Sequence, residues 1–104
     1  PSRLGSIEEL PLALAFIHLR DGELYPAMID GVNSGRDTDS IGVMIGAILG
    51  AMHGIGAIRT EDLGQMNRVN RFDLSAAGDA FARAAGDIIR RDLEKLERRK
   101  GVLD

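Results

Sequence analysis

At 104 residues the chain has material for one small domain and no more. Having no cysteine, it has no disulfide, thiol nucleophile or Cys-based zinc site, and that fits a reducing cytoplasm. A formal net charge of −3 excludes the usual basic footprint of a nucleic-acid binder. The aromatics are Phe16, Tyr25, Phe72 and Phe81, so the core must come from Leu, Ile, Met and Ala, with many Gly between them. That mixture, with no sustained apolar/polar alternation, predicts an all-α chain folded as a compact helical bundle.

The opening "PSRLGSIEEL" lacks the apolar run of a signal peptide, and its start at Pro1 rather than Met implies processing, cleavage or an internal origin. Ser6 followed by Glu9 fits a capping box that opens a first helix reaching about Arg20, with Pro11 in its first turns. "DGE" breaks it at Gly22. A second, shorter helix is expected over Leu24 to Val32, followed by the loop "NSGR", in which Gly35 can take a positive φ. The third should run from near Thr38 to about His53. Its glycines at 42, 46, 50 and 54 line one face, which lets a neighbouring helix come close. The fourth follows Thr60, an N-cap candidate, and reaches about Val69. The last begins at Asp73 or Leu74 and continues to about Lys100, with Gly101 as its stop. Leu74, Ala77, Phe81, Ala84, Ile88 and Leu96 give it an apolar stripe.

Ile41 to Ile58 carries His53 as its only polar side chain, and its small-residue spacing permits a membrane span. Its low hydrophobicity per residue, and the lack of an aromatic belt or a one-sided basic flank, favour the buried central helix of a bundle instead.

The residues at the tip of that helix, "DTDS", admit two readings. Asp37 or Asp39 can cap the helix and complement its dipole. Alternatively, Asp37, Asp39 and the Ser40 hydroxyl are hard oxygen donors suited to magnesium or manganese. An EF-hand loop is excluded, since a third acidic position and a Glu at position twelve are both missing. Capping alone leaves two carboxylates competing for one helix end.

"GRDTDSIGVMIGAILGAMHG" resembles the C-terminal motif of the ADP-ribosylglycohydrolases, Gly-Gly-Asp-Thr-Asp-Thr followed by Ile and a Gly/Ala-rich helix. "EELPLALAFI" and "AMIDGVN" resemble the helices that lead into it. The resemblance covers roughly Ile7 to Ile58. It implies part of a larger orthogonal all-α fold holding two divalent cations, magnesium or manganese, beside the substrate ribose. It implies metal-ligand roles for Asp37, Asp39 and Ser40, with Asp39 shared between the ions and none of the three acting as general acid. The implied substrate is an ADP-ribosylated acceptor or an ADP-ribose-like molecule, with Asn33, Ser34, Gly35 and Arg36 of the motif loop against it. Ser40 stands where the pattern has Thr, and Arg36 where it has a second Gly. Arg36 can pair with a diphosphate or with a neighbouring carboxylate, or it can be a surface residue that alters loop shape.

Family members are roughly three times this length, on the usual domain scale. Their N-terminal Thr-Asp-Asp motif and further acid have no counterpart here. Glu8–Glu9 reads as helix capping. "TED", Thr60 to Asp62, lies about 30 Å of helix rise from Asp37. The resemblance therefore implies the C-terminal portion of one all-α domain, needing a missing N-terminal portion or a second chain that carries it. Rival readings are a non-catalytic helical interaction module and a family member that has lost catalysis. No catalytic residue is assigned. His53 reads as a helix-end histidine satisfied by a backbone carbonyl, His18 as a cation at a helix C-terminus, and "RRDLEKLERRK" as a solvated helix with Arg90–Glu94 and Glu94–Arg98 pairs.

Overall fold

The computed structural model describes residues 5–103, with side chains from residue 7. α1 starts at Gly5, so Ser6 stands inside its first turn and not before it; the Ser6 side chain and Pro1 lie outside what the structure describes. All five expected helices are present, no strand occurs among the described residues, and the chain is all-α: α1 (Gly5–Leu19), α2 (Leu24–Asn33), α3 (Thr38–His53), α4 (Thr60–Asn70) and α5 (Leu74–Leu103). A 3₁₀ turn, Ile55–Ala57, follows α3 and was not expected. The chain divides into two compact units, Pro1–Arg59 and Thr60–Asp104.

In the first unit the turn after α1 closes with a Schellman pattern. The Gly22 N–H reaches the Ile17 carbonyl at 2.9 Å and the Asp21 N–H reaches that of His18 at 3.2 Å. Asp21 and Gly22 both take positive φ, 51° and 76°. The chain therefore reverses one residue earlier than the glycine alone predicts. Across this turn Arg20 grips Asp30 with two bonds, Nε to Oδ2 at 2.6 Å and Nη2 to Oδ1 at 3.0 Å.

That fork holds the Asp30 carboxyl below its ordinary pKa, through the hydrogen bond from Arg20 first and its charge second, against the opposing pull of desolvation. A carboxyl depressed in the folded state stabilises fully above its unfolded pKa of about 3.9, and loses that contribution as pH falls through the folded value. The melting-temperature gap between the unaltered protein and Asp30→Asn should therefore be constant from neutral pH down to about pH 4 and close below it. A gap that persists at the acid end would show that Arg20–Asp30 contributes nothing through charge.

The core of the first unit is Ala13 of α1, Ala27 of α2, and Ile41, Ile45 and Leu49 of α3, all at 0 % exposure. The α3 residues recur every fourth position, so they form one stripe that faces α1 and α2. Phe16, Ile17, Met28 and Met44 pack around it. The glycines of α3 play a smaller part than the sequence predicts. Gly42 and Gly46 lie under the Met28 side chain, at 3.5 and 3.3 Å from where a Cβ would stand, while Gly50 and Gly54 meet nothing within 4 Å. Close approach depends instead on Gly31 of α2, where a Cβ would fall 2.7 Å from Ile45 Cδ1.

α1 and α3 run side by side in the same direction, pinned at both ends. At the far end His53 Nε2 lies 2.9 Å from the Gly22 carbonyl, which can only accept, so Nε2 carries the proton. This is the backbone-satisfied histidine the sequence suggested. Nearby, the Tyr25 hydroxyl accepts the Arg59 N–H at 2.9 Å, and the Arg59 guanidinium lies 4.1 Å above the ring. At the near end α1 meets the loop before α3, the setting of the candidate site. No helix among the described residues is long and apolar enough to cross a membrane.

In the second unit Asp73 caps α5, accepting the Ala76 N–H at 2.9 Å, and Asn67 accepts that of Leu74 at 3.1 Å. α5 passes through Gly101 to Leu103, so glycine does not stop it. The expected Arg90–Glu94 pair is replaced by Arg90–Asp87 at 3.0 Å, and Lys95 pairs with Asp92 at 3.6 Å. On a solvated face such alternatives are nearly equal in energy, so spacing alone does not select among them.

Candidate metal site

The α2–α3 connection is a four-residue loop whose shape follows from its own side chains. Ser34 Oγ donates to the Gly31 carbonyl at 2.7 Å and accepts the Arg36 N–H at 3.4 Å. Gly35 takes φ +71°, where a Cβ would be strained although nothing stands within 4 Å. Arg36 Nε donates to Glu8 Oε1 at 2.5 Å, tying the loop to the first turns of α1. This is the pairing with a neighbouring carboxylate that the sequence left open to Arg36.

Asp37 stands at the N-cap position of α3 but makes no side-chain capping bond. The first helical bond instead runs from the Ile41 N–H to the Asp37 backbone carbonyl at 3.0 Å. Asp39, in the first turn, accepts the Ser40 N–H on Oδ1 at 3.0 Å. The two exposed carboxylates thus divide their work, and only Asp39 serves the helix end. The Asp37 carboxyl lies within hydrogen-bonding reach of two others, Asp39 and Glu9.

The electrostatics follow from that sequence of contacts. The Asp39 carboxyl is held below its ordinary value by the hydrogen bond with Asp37, and then by the N–H groups of Ser40 and of Asp39 itself. The Glu9 carboxyl is pushed above its ordinary value by its hydrogen bond with Asp37, by desolvation, and by the negative charges of Asp37, Asp39 and Glu8. A proton shared between such neighbouring carboxylates, or a cation beside them, would relieve their mutual repulsion.

Glu9 is the residue that sequence reasoning passed over as a capping group. The signal that could have found it is topological. Two short turns make α1, α2 and α3 run up, down and up, so the first turns of α1 and α3 must share an end. Ser34, Gly35 and Arg36 fall in the loop just before the acid pair, Asn33, expected in that loop, is the last residue of α2, and Ser40, half-buried, stands one residue after the pair. Carboxylate and hydroxyl oxygens fit a hard divalent cation. They do not close a shell: no three His, Cys, Asp or Glu side chains among the described residues are grouped so as to hold a metal ion. The donors fit the ion in kind and fall short in number.

Comparison with known proteins adds two findings. A family model described as ADP-ribosylglycohydrolase matches residues 2–98. The chain is also 35% identical over 79 residues to "Uncharacterized protein YegU" of Escherichia coli (strain K12), an alignment covering 76% of this chain and 24% of that protein. The chain thus spans about a quarter of the length of the curated relative it matches. No solved structure matches it.

Proposed function

We propose, from the premise that this chain belongs to the ADP-ribosylglycohydrolase family, that it supplies part of a dinuclear metal site in a hydrolase that cleaves the glycosidic bond of an ADP-ribosyl group. The observation that carries this reading is the Asp37 carboxylate, which occupies a cap position without capping and turns toward Asp39 and Glu9. A carboxylate needed only for the helix end would accept a free N–H there.

In this reading Asp39 would serve both ions, and Asp37 and Ser40 would be ligands of one of them. Magnesium or manganese held there would bind ribose hydroxyls and activate water for attack at the anomeric carbon. Asn33, Ser34, Gly35 and Arg36 form the wall on which the substrate rests. None of these residues is a general acid. Two ions roughly 3.5–4 Å apart need more carboxylates than this chain brings to one point. The remaining ligands and the general acid therefore come from a further segment or a second polypeptide, in one all-α domain in the cytoplasm.

Native mass spectrometry of the protein as isolated, in magnesium and then after chelation, tests the metal and partner parts together. The expected result is an assembly carrying two chelatable ions and releasing ADP-ribose from a modified acceptor only while they are bound. An assembly that never takes up a divalent ion would overturn the reading and favour a helical interaction module.

A further inference from the structure

We propose that the Glu8–Arg36 ion pair is a positioning device that holds the Asp37–Asp39 loop in its cation-binding shape. The inference rests on the metal reading above. It follows from where the pair sits, because an ion pair on a solvated surface contributes little by itself.

Glu8 and Arg36 are separated by 28 positions, and their bond closes the near end of the α1–α3 pair as His53 and Gly22 close the far end. Arg36 is covalently next to Asp37, so fixing its side chain on α1 restricts the backbone from which the Asp37 carboxylate projects. The loop has few other restraints. Gly35 has no neighbour within 4 Å of its Cβ position, and the Ser34 hydroxyl bonds only within the turn. Glu8 also leads into Glu9, so the pair fixes the helical turn that brings Glu9 against Asp37. Side chains that orient metal ligands from behind in this manner typically change affinity by about 10–100-fold when lost.

Charge and position predict opposite signs for one substitution, which makes the idea testable. Arg36→Met keeps the alkyl stem and removes a positive charge beside the cation site. If Arg36 acted through charge alone, its loss would tighten cation binding, since one repelling charge is gone. Acting as a clamp, its loss weakens binding. The experiment is calorimetric titration of Mn2+ into the complete protein, paired with backbone amide relaxation of residues 34–39 before metal is added. Substrate is absent, so any contact Arg36 makes with a ligand does not enter.

The expected result is Mn2+ affinity about 10-fold weaker in Arg36→Met, with residues 34–39 more mobile on the nanosecond timescale and helicity unchanged. Glu8→Gln, which breaks the same pair from the other side, should reproduce the gain in mobility. Unchanged or tighter binding by Arg36→Met, with a loop as rigid as before, overturns the proposal while the metal reading stands. If the unaltered protein binds no Mn2+, the metal reading itself fails and the proposal falls with it.

Discussion

Asp39→Ala is expected to abolish divalent-cation binding by the complete protein, and Asp37→Ala to do the same, with far-UV helicity retained in both. The two residues reach this outcome by different routes. Asp37 makes no bond to the helix end, so its loss removes a donor and leaves the start of α3 as it was. Asp39 accepts the Ser40 N–H, so its loss also exposes one helical donor, which water can satisfy at this exposed position. Asp39→Asn separates the two roles, because the amide oxygen still accepts that N–H while the charge is gone. All three should lose more than about 100-fold in Mn2+ affinity, since even residues behind the ligands are worth roughly 10–100-fold. Titration calorimetry with circular dichroism measures both quantities. Affinity unchanged in both alanine variants would return the acid pair to the capping reading and remove the metal site from this chain.

The acid pair was legible in the sequence because its chemistry is local. Asp37, Asp39 and Ser40 follow one another at a helix start, and the helix itself is announced by the apolar run from Ile41. Helix starts and ends were readable for the same reason, being set by neighbours within a few residues. Two exceptions show the limit. α5 passes through Gly101, since a glycine stops a helix only where the chain turns into positive φ, and Gly101 does not. α1 turns at Asp21 as well as Gly22, with positive φ at both.

The contributions of Glu8 and Glu9 carry no local signal and could be read only by following the up-down-up order of α1, α2 and α3 to the end that α1 and α3 share. The same applies to the glycines. Three of them in α3 and Gly54 just after it attracted attention by their regular spacing, yet Gly50 and Gly54 face no described atom within 4 Å of the Cβ position. The single glycine of α2 gave no periodic signal. It matters only because a particular isoleucine of α3 lies opposite, and that is a property of the packed fold.

Gly31 therefore supplies a stability effect that only the packing of α2 against α3 reveals. A Cβ at this position would stand 2.7 Å from Ile45 Cδ1, 3.1 Å from Ile41 Cγ2 and 3.8 Å from Phe16 Cδ2. Ile41 and Ile45 are both fully buried, so neither methyl has free space to move into. Overpacking of this kind costs about 1–3 kcal/mol, while alanine gains about 1 kcal/mol over glycine in a helix interior. Gly31→Ala should thus lose about 1 kcal/mol net, and Gly31→Val, with two further carbons in the same space, about 3 kcal/mol. The decisive variant pairs Gly31→Ala with Ile45→Val, which deletes the Cδ1 methyl that the new Cβ would strike. Ile45→Val alone leaves a small void and costs about 0.5–1.5 kcal/mol. If the clash is the cause, the double variant loses less than the sum of the two single losses, by about 1 kcal/mol, because each change fills or vacates the space of the other. Urea unfolding of the four proteins measures this difference. Simple additivity would place the cost of Gly31→Ala in the backbone or at Ile41, and not at the contact with Ile45.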